Sequence, residues 1–399
     1  MTTGFLPYGR QDVDEDDIAA VVAVLRGDWL TTGPMVEAFE HALAERVGAA
    51  HAVAVNSGTA ALHLSAMGLD LTPEDRVVVP SVTFLATANC VRYVGAEVIF
   101  CDVEPDTGLL DLNHFEALLR ADHQGRIKAV LPVHMAGQCA DLKAIVGLAE
   151  PRDITVIEDA CHALGATDAS GRPVGGGTYS RATVFSFHPV KTVTTGEGGA
   201  ITTNDAELAR RLRRLRSHGM IHQPDLFSQI EQAFDPNGSA NPWYYEMSEP
   251  GMNYRLSDIN CALGLSQLTK LDRFVTRRGE LVAAYRQALA GLSPHIAAAP
   301  ERGHGRPAWH LFVVLLEFER LGLTRSQAMR RLHAAGIGSQ VHYLPLHRQP
   351  YYAHRYGPLT LPGADAYYRR CLSLPLCARM KEDDIARVVD GLAALASPA

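Results

Sequence analysis

From residue 51 onward the chain alternates short, continuously apolar runs with stretches of helical periodicity. HAVAVN precedes TAALHLSAMGL, RVVVP precedes TFLATANCVRYVG, and AEVIFCDV precedes DLNHFEALLRA. IKAVLPVH, CADLKAIVGLA and ITVIED extend the series, and ATVFSFHP and GAITTN add two more strands before the helix of DAELARRLRRLRSHG. Strands that are apolar at every position are buried on both faces, and the intervening amphipathic helices can connect parallel neighbours. The pattern predicts an α/β domain on a large, mostly parallel sheet.

Ahead of this series, DEDDIAAVVAVLRG and PMVEAFEHALAERVG read as two helices with acidic starts and glycine ends, packed on the outside. Residues 221–250 lose the periodicity and read as a loop-like insertion with an aromatic end, PWYYEM. One long helix is expected over SDINCALGLSQLTKLDRFVTRRGELVAAYRQALAGL, followed by WHLFVVLLEF, the helix SQAMRRLHAAG, the run IGSQVHYLP and a final helix. These imply a large domain over residues 1–275 and a smaller α+β domain over 276–399.

A chain of 399 residues, 47% of them hydrophobic, can bury a core of enzyme size. Its net charge of −7, with both signs interspersed, offers neither a basic face for nucleic acid nor a polybasic patch for a membrane. The seven cysteines are scattered without a C-x-x-C pair, as expected of reduced thiols. No stretch approaches a membrane span, so a soluble, cytoplasmic protein is expected. The spacing of His342 and His347 matches no common zinc pattern, and no metal is assigned.

The candidate chemistry gathers where strands end. Lys191, in SFHPVKTVTTGEGG, follows an apolar strand, and a desolvated lysine there can serve as a nucleophilic amine, although an isolated lysine is commonly a surface residue. Asp159 ends ITVIED, where it suits either a helix N-cap or the partner of a pyridinium nitrogen. Ser57, Gly58 and Thr59 lie between a strand and a helix, where backbone N–H groups can receive a phosphate, and Ser186 could add a hydroxyl. Phe84 could stack on a flat ring or belong to the core; His162 and His188 flank these residues and read equally as structural. The absence of G-x-G-x-x-G after the first strand, and of a Walker motif, argues against a dinucleotide enzyme or a P-loop ATPase.

LTTGP, NSGTAALHLS, PSVTFLATANC, VIEDACHALG, SFHPVKTVTTGEGGAITTND, GMNYRLSDINCALGLSQL and VHYLPLH together resemble the DegT/DnrJ/EryC1/StrS family of sugar aminotransferases, nearly end to end. The resemblance implies the pyridoxal-phosphate-dependent transferase fold of type I, as in aspartate aminotransferase, with pyridoxal 5′-phosphate as cofactor. It implies Lys191 as Schiff-base lysine and proton carrier, Asp159 on the pyridine nitrogen, and Phe84 stacked on the ring. Ser57, Gly58, Thr59 and Ser186 would hold the phosphate, with His162 beside the cofactor. Asn253, in GMNYR, would reach the partner's phosphate in a homodimer with shared sites.

LPYGRQDV, PVHMAGQ, HPVKTVTTGEGG and the insertion ending PWYYEM further resemble the branch that serves pseudaminic acid biosynthesis. That likeness implies ping-pong transfer of an amino group from L-glutamate to C4 of a UDP-linked 4-keto-6-deoxy-N-acetylhexosamine. Tyr8, Asp28, Trp29, Leu30 and Thr31 would line the sugar-nucleotide site, with His188, His342 and Tyr343 contributing. The chain departs from the pattern at Ala60, where that branch has a serine, and the aromatic insertion also suits another keto sugar or a keto cyclitol. Dehydratase relatives carry histidine at the Schiff-base position, so Lys191 counts against that activity; a cofactor-binding homologue without turnover is the further alternative.

Overall fold

Each apolar run becomes a strand of one sheet: β1 (His51–Val55), β2 (Arg76–Pro80), β3 (Glu97–Cys101), β4 (Ile127–Val130), β5 (Thr155–Asp159), β6 (Ala182–Ser186) and β7 (Gly199–Thr203). The computed structural model describes residues 4–396. The strand order is β1-β7-β6-β5-β4-β2-β3. Neighbours are parallel except at β7, which runs antiparallel to both β1 and β6. A short helix-free connection joins β6 to β7, and such a link returns the chain antiparallel, whereas a crossover helix is needed to keep strands parallel.

Alternation along single strands shows why the runs are apolar throughout. In β1, Val53 and Val55 enter one core cluster while Ala52 and Ala54 enter another on the opposite face. The two N-terminal helices, Glu15–Leu25 and Pro34–Val47, pack on the helix Asp258–Leu268. Asp17, fully buried, accepts from Ser266 Oγ at 2.6 Å and Gln267 Nε2 at 2.7 Å and pairs with Lys270 at 2.9 Å.

The same contacts correct one expectation. The single helix expected after residue 256 is two, Asp258–Leu268 and Leu271–Leu289. The turn between them is where Lys270 is drawn to Asp14 and Asp17 and the Thr269 hydroxyl bonds the Ser266 carbonyl, a local bond that competes with the helical ladder.

The 221–250 insertion is largely irregular, as expected, yet carries its own small core of Ile221, Phe227 and Ala233, packed by Phe234 and Tyr244. Glu246 ties it together, accepting from the amides of Ser228 and Gln229 and from the Tyr244 hydroxyl. Trp243, Tyr245 and Met247 remain exposed on it.

The helix Leu271–Leu289 leads into the smaller unit, an antiparallel sheet of Ile296–Ala298, Phe312–Leu316 and Cys371–Leu374 backed by the helices Arg325–Ala334 and Glu382–Ala396. The run IGSQVHYLP contributes isolated bridges from Ile337 to Leu6 and from Gln340 to Ser373 and otherwise crosses towards the large domain. Among the described residues no helix is long and apolar enough to cross a membrane.

Candidate active site

The carboxyl ends of β1, β2, β5 and β6 face the same way and open into one cleft of about 920 Å³, where ligands bind in open α/β sheets. Asp159, the last residue of β5, is buried. Its Oδ2 accepts from the Thr87 hydroxyl at 2.7 Å and its Oδ1 from the Cys161 amide at 3.2 Å. Because Thr87 spends its proton on Asp159, Thr83 must donate to Thr87 across their 2.9 Å contact. Among the described residues the Asp159 carboxylate makes no ion pair within 4 Å, and its hydrogen-bond donors are the neutral Thr87 hydroxyl and Cys161 amide.

Behind Asp159, a second hydrogen-bonded group fixes the strand end. His134 Nδ1 accepts the Ala140 amide at 3.0 Å, which places its proton on Nε2, 2.9 Å from Glu158. The His134 amide also donates to the Asp159 carbonyl at 3.1 Å.

Lys191 is displaced from the strand end where the sequence placed it. β6 stops at Ser186, and Lys191 lies in the following turn, its amide donating to the His188 carbonyl at 2.8 Å. The turn carries the amine into the cleft. Burial pushes its pKa down, opposed by the nearby Cys161 thiol and the Asp159 carboxylate.

At the opposite end, Ser57 caps the helix Gly58–Gly68, its hydroxyl accepting the Ala60 amide at 3.0 Å. The first-turn amides of Gly58 and Thr59 have no intrahelical acceptor and face the cleft. A Cβ at Gly58 would stand 2.9 Å from Ser186 Cβ and 3.3 Å from Cys161 Sγ, so any side chain would crowd this cradle.

Across the cleft, the small domain brings His342 and Tyr343. The Tyr343 hydroxyl lies 3.2 Å from His162 Nε2, and its ring centroid 6.0 Å from that of Phe84. Burial raises the pKa of the phenol and lowers that of the imidazole, so a neutral hydroxyl and a neutral ring share this hydrogen bond. The buried His162 Nδ1 has no hydrogen-bond partner among the described residues and is available to a ligand.

The family model for DegT/DnrJ/EryC1/StrS aminotransferases matches residues 11–393. The chain belongs to this family. PseC of Helicobacter pylori, described as an aminotransferase involved in the biosynthesis of pseudoaminic acid, is 28% identical over 98% of this chain and 99% of its own, with a TM-score of 0.88. Spr1654 of Streptococcus pneumoniae, described as a "putative sugar aminotransferase" and solved in PLP and PMP forms, is 27% identical over 98% of both chains, with a TM-score of 0.87. DesV of S. venezuelae is 33% identical over the whole of both chains, with a TM-score of 0.84.

The residues present fit the cofactor expected of this aminotransferase family. A phosphate suits the Gly58 and Thr59 amides, a protonated ring nitrogen suits the unpaired Asp159 carboxylate, and an aldehyde suits the half-buried Lys191 amine. Phe84, His162, Ser186, His188, Tyr8, His342 and Tyr343 also line the cleft. Asp28, Trp29, Leu30 and Thr31 do not: they are exposed, and Asp28 and Trp29 border a separate groove with Met35 and Asp258. Asn253 is likewise exposed and outside the cleft, with its carbonyl 3.4 Å from Asn56 Nδ2.

Sequence reasoning missed Thr83, Thr87, Glu197 and His310, all of which line the cleft. Thr87 carried a usable signal, standing three residues after Phe84 in the first turn of the next helix. His310 carried none, since WHLFVV reads as a core strand.

His162, His310 and His342 are all kept neutral by burial, His342 with its pKa pushed down to about 3. In the unfolded chain they take protons as pH falls through 6.5, while the folded protein does not. The unfolded state then binds more protons, so the stability of the cofactor-free protein should fall from pH 6.5 downward, by about 1.4 kcal/mol per pH unit for each histidine involved. Denaturant unfolding across that range should show a shallower fall for His310→Phe; an identical slope would contradict the assignment.

Proposed function

We propose that this aminotransferase moves an amino group from L-glutamate to C4 of a UDP-linked 4-keto-6-deoxy-N-acetylhexosamine, as in a pseudaminic acid type pathway. The observation that carries the catalytic part is a part-buried lysine amine and a buried carboxylate, hydrogen-bonded only by neutral donors, facing one cleft beside a helix N-terminus. The cofactor is pyridoxal phosphate, and the reaction class is ping-pong transamination. When bound, it supplies an electron-withdrawing ring that stabilises charge left on a carbon losing its proton.

The chain's own groups do the rest. Lys191 Nζ, its pKa lowered by desolvation, takes the proton from the amine-bearing carbon and returns it. Asp159, oriented by Thr87 and the Cys161 amide, would hold the ring nitrogen. The amides of Gly58 and Thr59, with the hydroxyls of Ser57 and Ser186, orient the phosphate end. Tyr8, His188, His342 and Tyr343 line the open side, where a sugar would enter.

The proposal includes a homodimer in which Asn253 reaches the partner's phosphate, supported by its exposure beside Asn56. The assignment of Asp28, Trp29, Leu30 and Thr31 to the sugar-nucleotide site requires the same interface, since they stand outside the cleft of their own chain.

A second reading, another nucleotide-linked keto sugar or a keto cyclitol, is favoured by one observation. Identity to PseC, 28%, does not exceed identity to DesV, 33%. Incubation with L-glutamate and a panel of UDP- and dTDP-linked keto sugars and a keto inositol decides between them by kcat/KM. The first reading expects the UDP-linked 4-keto-N-acetyl sugar to lead; preference for a dTDP sugar or the inositol moves the assignment to the second.

A further inference from the structure

The helix Leu271–Leu289 buries Phe274, Val275, Leu281, Val282 and Tyr285 on one face, and Arg278 in the middle of it. Arg278 is only 2% exposed, and no carboxylate pairs with it among the described residues. A guanidinium taken out of water without a counter-charge is costly, and burial here pushes its pKa down to about 10. A leucine or methionine would fill the stripe without that cost, so the charge must serve something other than packing.

What it touches is specific. Nη1 donates to the carbonyls of His310 at 3.2 Å and Leu376 at 3.0 Å. The Leu376 amide in turn donates to the Tyr8 carbonyl at 3.0 Å. Both chains of contact end in the cleft: the His310 ring lies 4.5 Å from the His162 ring, and the Tyr8 ring 5.5 Å from that of His342. His310 is gripped from its other side as well, its amide donating to the Ala136 carbonyl at 3.0 Å. That approach needs Gly137, whose φ is +96° and whose Cβ would fall 2.0 Å from the Ala308 carbonyl oxygen.

We propose that Arg278 is a positioning residue for the amino-transfer site, a single buried fork that holds His310 and Tyr8 at their places on the cleft wall from the joint between the two domains. It is separable from simple attachment of the 375–380 segment. Tyr285 bonds the Pro375 carbonyl at 3.0 Å and Arg277 the Met380 carbonyl at 2.7 Å, so that segment stays anchored without Arg278.

The test uses the pyridoxal-phosphate-loaded protein and single-turnover conversion of its absorbance by L-glutamate. It rests on glutamate being the donor, and failure of that reading would appear separately, as a native protein whose spectrum glutamate leaves unchanged. Arg278→Met should raise the half-saturating glutamate concentration about tenfold while leaving pyridoxal phosphate affinity within about twofold, since the wall shifts and the phosphate cradle does not. Arg278→Lys, which keeps the charge but not the planar fork, should show a rise of about threefold. Added to a His310→Ala/Tyr8→Ala protein, Arg278→Met should raise the constant no further. An unchanged half-saturation in both Arg278 variants, or a full extra rise in the double-alanine background, overturns the proposal. Should Arg278→Met fail to fold, Arg278→Lys alone decides: a raised constant supports positioning and an unaltered one refutes it.

Discussion

Lys191→Ala should lose turnover by at least about 10⁴-fold, because in the proposed mechanism one amine serves both as the covalent attachment point and as the proton carrier. The other lysines and arginines of the chain lie outside the cleft, so none stands ready to replace it. Folding should be little affected: burial already disfavours the charged amine, and removing it relieves desolvation rather than breaking an ion pair. The phosphate cradle at Ser57, Gly58 and Thr59 is untouched, so the variant should still take up pyridoxal phosphate, but without the absorbance band of the lysine-linked form. Spectra of native and variant protein before and after L-glutamate check this directly. In the native protein glutamate should bleach the band towards the pyridoxamine form. A variant that keeps the band, or keeps turnover, would remove Lys191 from the mechanism and bring the binding-protein reading forward.

Much of this site was legible because its residues lie at punctuation points of the chain. Ser57, Phe84, Asp159 and Ser186 sit at or just beyond strand ends, and seven apolar runs in succession left little freedom over where those ends fall. Lys191 was misplaced by a few residues because the turn His188–Lys191 carries no periodicity to mark where β6 stops. The break at Thr269 was hidden for a different reason: it answers to Asp14 and Asp17, about 250 residues earlier in the chain, and no local signal reports a tertiary ion pair. His310 and Arg278 were illegible on similar grounds. Each occupies a position in an otherwise apolar stripe or run, and its significance lies in contacts distant along the chain: His310 against the His162 ring, Arg278 against the carbonyls of His310 and Leu376. Asp28, Trp29, Leu30 and Thr31 mark the limit of reading one chain, since their assignment depends on a surface that a second copy would complete.

Asp159→Asn should lower kcat by about 10²–10³-fold with a much smaller change in cofactor affinity. The asparagine oxygen can still accept one of the two bonds that Thr87 and Cys161 now donate, so the side chain stays roughly in place. What disappears is the negative charge that would keep the ring nitrogen protonated, and with it the electron demand that makes the adjacent carbon acidic. The loss should fall on the rate of both half-reactions, because both pass through the same proton movement at Lys191. Thr87→Val separates charge from orientation: it removes one donor and leaves the carboxylate charged, so its effect should stay within about tenfold. If the two variants are instead equally impaired, the carboxylate acts by fixing geometry and its charge is incidental. If Asp159→Asn is nearly as fast as the native enzyme, the ring nitrogen is not paired there, and a buried carboxylate without an ion pair within 4 Å needs another explanation.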